Sequence, residues 1–89
     1  MTPAARISAA IDILDTVLAG QAAEKTLTSW ARRNRYAGSG DRAAIRDHVF
    51  DALRCLRSFE WLGGARTGRG VMIGALRAQR GDLPADRGP

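Results

Sequence analysis

The chain has 89 residues, 14 Lys and Arg against 9 Asp and Glu, a net charge of +5 and a pI near 11.0. That length closes one small core and excludes a nucleotide-binding sheet beside it. One cysteine excludes an internal disulfide framework, and with a single histidine it excludes a zinc site built from those two residue types.

In chain order, the first predicted element is a helix. Thr2 is placed to cap it, Pro3 occupies its first position, and Ile7, Ala10, Ile11, Leu14, Val17 and Leu18 recur at spacings of three and four until Gly20 stops the pattern. Asp12 and Asp15 interrupt this apolar stretch and no basic leader precedes it, so it does not read as an export signal. The polar face is acidic, whereas a membrane-surface helix places Lys or Arg there, so packing inside a bundle is expected. The later uncharged runs, Thr16 to Ala23 and Gly70 to Leu76, are far shorter than the roughly 20 residues of a membrane span. A soluble protein of the reducing cytoplasm is the expectation.

A second helix is predicted over Gln21 to Asn34, with Ala23, Leu27, Trp30 and Ala31 as its apolar stripe and Arg32, Arg33 and Arg35 at its end. Tyr36 to Gly40 reads as a turn. Asp41 is the expected cap of a third helix running to about Leu62, where Gly63 and Gly64 break it. Ile45, Val49, Ala52, Leu53, Leu56 and Phe59 fall on one arc of that helix and mark it as the core helix. A fourth helix capped by Thr67 presents Val71, Met72, Ala75 and Leu76, but Gly70 and Gly74 each cost about 1 kcal/mol in a helix interior. Its stability must therefore come from docking. From Gly81 onward the composition predicts a disordered tail. No strand pattern or repeat appears, so the expected fold is an all-α bundle of about four helices over residues 1–80, followed by the tail 81–89.

The basic residues are unevenly placed. Residues 1–31 sum to −1, residues 32–80 set eleven arginines against four acids for +7, and the remainder sums to −1. Thirteen of the fourteen bases are arginine, a choice that a GC-rich genome explains better than function does. It does not explain the clustering. Arg32, Arg33 and Arg35 with Arg42, Arg46, Arg54 and Arg57 form the one group with chemical promise, because a planar guanidinium suits bidentate contact with phosphate. If the second and third helices pack antiparallel, these arginines form one cationic patch suited to an RNA backbone. Phe50 sits four residues from both Arg46 and Arg54, where it either stacks on an unpaired base or packs against a neighbouring helix.

Other constellations carry less. Gly68, Gly70 and Gly74 are spaced G-x-G-x-x-x-G with no preceding strand, which is not a dinucleotide loop. His48 and Cys55 share a helical azimuth but lie roughly 10 Å apart along the axis, too far to share a proton or a metal. Asp47, Asp51 and Arg54 fit solvated pairing on a helix face. No nucleophile, base and orienting group converge, so catalysis by this chain alone is not expected and no catalytic, cofactor or metal residue is assigned.

The order Arg6-x-x-Ala9, then Leu14, Val17, Leu18 and Gly20, then Leu27 and Trp30, then Asp41-Arg42, Val49-Phe50 and Leu53-Arg54 resembles the N-terminal domain of the Sun/Fmu family of ribosomal-RNA cytosine-5 methyltransferases. That domain is an all-helical relative of the antitermination factor NusB. The string GDRAAIRDHVFDALRCLRS carries most of the resemblance, TGRGVMIGALRA supports it, and the match spans about residues 5–78. The resemblance implies a NusB-like RNA-binding module that presents ribosomal RNA to a methyltransferase domain of the same natural chain, one that uses S-adenosylmethionine and a cysteine nucleophile. This sequence has neither a Pro-Gly-Gly-Lys-type cofactor loop nor a Pro-Cys catalytic segment, and Cys55 lies on the core helix of the wrong domain to inherit the nucleophile's role. The chain therefore reads as the N-terminal module of such an enzyme, cut before the cofactor-binding part. Family members carry further helices after the fourth, so closure by self-association as a homodimer is a further implication.

Two alternatives stand beside RNA binding. A protein-interaction module would expose an apolar patch around Trp61, Leu62, Val71 and Met72. A helix-turn-helix DNA binder ranks below both, because the connection from Arg35 to Gly40 is longer than the usual three- to four-residue turn.

Overall fold

The computed structural model describes residues 1–79; the tail expected from Gly81 onward lies outside the described residues. Its elements are α1 (Pro3–Leu18), α2 (Ala23–Arg33), α3 (Ser39–Arg54), α4 (Leu56–Gly63) and α5 (Gly68–Gln79), and no strand occurs among the described residues. The predicted all-α class is therefore observed, with five helices instead of about four.

The capping signals of α1 act as expected. The Thr2 hydroxyl accepts the Ala5 amide at 3.1 Å, with Pro3 in the first turn. At the far end the chain leaves the helix through Gly20, whose φ of 119° is costly for any residue with a Cβ. α2 begins two residues later than predicted, without a side-chain cap at Ala22, and ends where the Asn34 side-chain amide donates to the Trp30 carbonyl at 2.8 Å.

The start of α3 corrects the expectation for Asp41. Gly38 occupies the N-cap, and Asp41 sits three residues inside, where its carboxylate accepts the Gly38 amide at 3.1 Å. The same carboxylate receives Arg6 of α1, with guanidinium nitrogens at 2.8 and 2.9 Å. The terminal ammonium of Met1 stands 3.4 Å away. A short acid in the first turn thus caps its own helix and ties it to another.

The long third helix is also corrected. It breaks at Cys55, whose backbone (φ −111°, ψ 31°) leaves the helical region between α3 and α4. No glycine or proline marks the break. Its cause is tertiary: α3 packs on α1, whereas α4 packs chiefly on α5. The predicted apolar arc survives the bend, with Ile45, Val49 and Ala52 buried and Leu53, Leu56 and Phe59 packed partly buried against them.

α1 lies at the centre, contacting α2, α3 and α5. Its buried side chains Ala9, Ala10, Ile13 and Leu14 meet Trp30 from α2, Ile45, Val49 and Ala52 from α3, and Val71 and Met72 from α5. Each large side chain in this cluster contributes roughly 1.5–3 kcal/mol through burial. The expected apolar patch of Trp61, Leu62, Val71 and Met72 does not exist as such. Leu62, Val71 and Met72 are buried, and only Trp61 faces solvent.

The α4–α5 hairpin is built on glycine. Gly64 closes α4 in the left-handed region, with φ of 86°. A Cβ at Gly63 would fall on the Gly70 carbonyl, and one at Gly74 on the Phe59 carbonyl, so the two backbones touch directly. α5 is capped twice. The Thr67 hydroxyl accepts the Gly70 amide at 3.0 Å as predicted, and Asp15 reaches over from α1 to accept the Gly68 amide at 2.7 Å. Asp15 was expected simply to face solvent.

Two outcomes follow. Gly→Ala in a helix interior ordinarily stabilises by about 1 kcal/mol, but Gly74→Ala is expected to destabilise by about 1–3 kcal/mol because the methyl group is forced into the α4 backbone. Gly40→Ala, where nothing lies within 4 Å, should be neutral or stabilising; urea melts in which Gly74→Ala matched Gly40→Ala would refute the backbone contact. The Asp41 carboxyl is held below its ordinary 3.8, first by the Arg6 hydrogen bond and then by the Gly38 amide. Its folded value lies under its unfolded one, so its stabilisation is complete above the unfolded value and is lost as pH falls through the folded one. Asp41→Asn should lower the urea midpoint at neutral pH, and the gap to the wild type should close in acid.

Candidate nucleic-acid interface

All seven arginines singled out in the sequence are solvent-exposed. Arg32 and Arg33 fill the last turn of α2, and Arg35 follows in the connection beside Tyr36, which is 73% exposed. On α3, Arg42, Arg46, Phe50 and Arg54 recur every fourth residue, forming a row that drifts about 40° per step around the helix. Arg57 stands in the first turn of α4.

α2 and α3 flank a groove of about 240 Å³, lined by Leu27, Thr28, Trp30 and Ala31 on one wall and by Arg42, Ala43, Ile45 and Arg46 on the other. Glu24, at the start of α2, pairs with Arg46 midway along α3, and Ala31 near the end of α2 shares the groove with Arg42 near the start of α3. The two helices therefore run antiparallel along this groove. Arg32, Arg33 and Arg35 leave α2 at the end where α3 and Arg42 begin.

The cationic surface is not one strip, however. Arg33 lines a depression on the opposite flank of α2 together with Lys25, Ser29, Gln21 and Thr16. Lys25 was missed by the sequence reading, although Lys25, Ser29 and Arg33 are spaced four apart and so share a helix face. The end of α2 thus carries basic groups on both flanks.

Two of the seven arginines are neutralised. Arg46 makes a bidentate pair with Glu24, at 2.5 and 2.6 Å, and its guanidinium also lies 4.9 Å from the centroid of the Phe50 ring. The hydrogen bonds from Arg46 hold the Glu24 carboxyl below its ordinary value, and Glu24 in turn raises Arg46. Arg54 meets Asp51 at 3.0 Å, the solvated helix pairing expected of this segment. Among the described residues, Arg32, Arg33, Arg35, Arg42 and Arg57 pair with no carboxylate. Phe50 is half-buried, and the guanidinium over its ring bears on both roles expected for it.

His48 is half-buried midway along α3, whereas Cys55 is exposed at the α3–α4 break instead of lying within one long helix. Among the described residues no group of three or more His, Cys, Asp and Glu side chains is arranged to hold a metal. The glycines of the 68–74 segment offer no cradle for a cofactor: a Cβ at Gly68 would meet the Ile11 carbonyl, one at Gly70 the Ala65 carbonyl and one at Gly74 the Phe59 carbonyl. That space is already filled by protein backbone. No described helix is long and apolar enough to cross a membrane.

In comparisons with known proteins, no family model, no curated protein and no solved structure matches the chain.

The Glu24–Arg46 pair is directly testable. Arg46→Met should return the Glu24 carboxyl toward its ordinary 4.5 while leaving Asp41 depressed, as read from side-chain carboxyl chemical shifts over a pH titration. A Glu24 titration identical in wild type and variant would show that the pair does not persist in solution.

Proposed function

We propose that this chain is a NusB-like helical RNA-binding module that grips phosphates through Arg32, Arg33, Arg35 and Arg42, with Arg57 as a further unpaired cation and Arg46 and Arg54 reaching phosphate only by exchanging their Glu24 and Asp51 partners. In this reading it serves as the RNA-recognition part of an S-adenosylmethionine-dependent ribosomal-RNA 5-methylcytosine methyltransferase, and the cofactor and catalytic cysteine belong to a separate catalytic domain. The observation that carries the proposal is the set of unpaired, exposed arginines gathered where α2 ends and α3 begins. Carboxylates elsewhere are drawn into pairs with Arg6, Arg46, Arg54 and Arg66, but among the described residues none neutralises that corner. Uncompensated guanidinium groups at one end of a small bundle favour a polyanionic partner, and their planar forks suit phosphate oxygens. The kinship to ribosomal-RNA methyltransferases adds the identity of the RNA to this electrostatic argument, and it rests on the sequence resemblance alone.

Binding of a small-subunit ribosomal-RNA hairpin across a salt series tests the proposal. Replacing Arg32, Arg33 and Arg35 together by glutamine should flatten the slope of log K against log salt by about 2–3, since each lost phosphate contact contributes about 0.7–0.9. The circular dichroism of the variant should be unchanged, because all three side chains are exposed. An unaltered slope would remove these arginines from the interface.

A further inference from the structure

A second basic cluster assembles only in three dimensions. Arg57 and Trp61 are four residues apart on α4 and therefore share a face. The left-handed turn at Gly64 then folds the chain back and sets Arg66 beside them, with its Nε 3.1 Å from Glu60 Oε2. Arg57, Trp61 and Arg66 line one open depression of about 650 Å³, and Arg54, Arg57 and Arg66 line another of about 360 Å³.

Trp61 is the notable member. It is 67% exposed, whereas the other tryptophan, Trp30, is 7% exposed and sits in the core. The surroundings of Trp61 are charged and small, not apolar: among the described residues Arg57 is unpaired, Arg66 is paired with Glu60, and the neighbours of Trp61 in the expected hydrophobic patch are buried. The fully buried core of a protein interface is more apolar than the surrounding surface, and among the described residues no large apolar side chain besides Trp61 lines this depression. A flat, exposed indole beside the unpaired guanidinium of Arg57 instead matches the two surfaces of an unpaired nucleotide, an aromatic base face and a charged phosphodiester. Phe50, the stacking candidate expected from the sequence, already carries Arg46 over its ring at 4.9 Å.

We propose that Trp61 is a base-stacking platform for single-stranded RNA, with Arg57 holding the adjoining phosphate. The inference rests on the RNA-binding reading above and specifies the kind of RNA that this surface takes: an unpaired segment, not a continuous duplex.

The test uses the full 89-residue chain with two probes, a single-stranded oligoadenylate and an RNA duplex of equal length. The oligoadenylate should quench tryptophan emission in the wild type but not in Trp61→Phe. Trp61→Ala should weaken oligoadenylate binding about tenfold without altering the salt slope, and Trp61→Phe should restore most of the affinity. Arg57→Gln should instead flatten the single-strand slope by about 0.7. Trp61 is exposed, so these variants should keep the wild-type circular dichroism. If oligoadenylate binds Trp61→Ala as tightly as wild type, the platform is overturned while the arginine interface stands. Should the wild type bind neither probe, both readings fall. Loss of self-association in Trp61→Ala, with RNA affinity unchanged, would make this surface a protein interface and overturn the proposal.

Discussion

The carboxylate of Asp41 is the point from which the placement of α3 follows. It accepts the Gly38 amide and so determines where the helix begins, and it binds the Arg6 guanidinium and so determines where that beginning sits on α1. Asp41 is itself buried, so this pairing is screened less by water than the exposed pairs along α3. Arg42 follows directly, and the row of basic residues spaced by four along α3 takes its azimuth from that start. The groove between α2 and α3 inherits its register from the same place, because Glu24 meets Arg46 only when α3 is in position. One short acidic side chain therefore links helix capping, the packing of α1 against α3, and the direction in which the cationic surface faces.

A different constraint governs the other end of the molecule. α4 and α5 pack through bare backbone at Gly63, Gly70 and Gly74, an approach that any Cβ would block. Glycine is costly inside a helix, and here the cost is offset by bringing two chains close enough for Val71 and Met72 to reach the core beside α1. Asp15 stabilises this arrangement by capping α5 from α1. The consequence for the surface is indirect. Because α4 gives its inner face to α5, its outer face carries Arg57 and Trp61 into solvent, and the tight turn at Gly64 delivers Arg66 to the same side.

Much of this organisation was legible in the residues alone. Thr2, Pro3 and Gly20 bound α1, Thr67 caps α5, and Ile45, Val49 and Ala52 mark the buried face of α3, because caps and apolar periodicity are local signals. The arginines were equally visible as a list, since charge survives any fold. Other features had no local mark. Nothing at Cys55 announces a break, because the bend arises from α3 and α4 choosing different partners. Asp15 and Asp41 looked like a solvated acid and a simple cap, and their bonds to Gly68 and Arg6 span distant parts of the chain.

The amino-acid order by itself thus determined the helical class, both limits of α1, the cap of α5 and an excess of guanidinium groups in the middle of the chain. Tertiary structure decided which of those groups remain available. Glu24 takes Arg46 and Asp51 takes Arg54, while Arg32, Arg35 and Arg42 pair with no carboxylate among the described residues. It also decided that Leu62, Val71 and Met72 are core while Trp61 is surface. The physical reason is range: capping and periodicity act within a turn or two of helix, whereas neutralisation and burial depend on which distant segments are brought into contact.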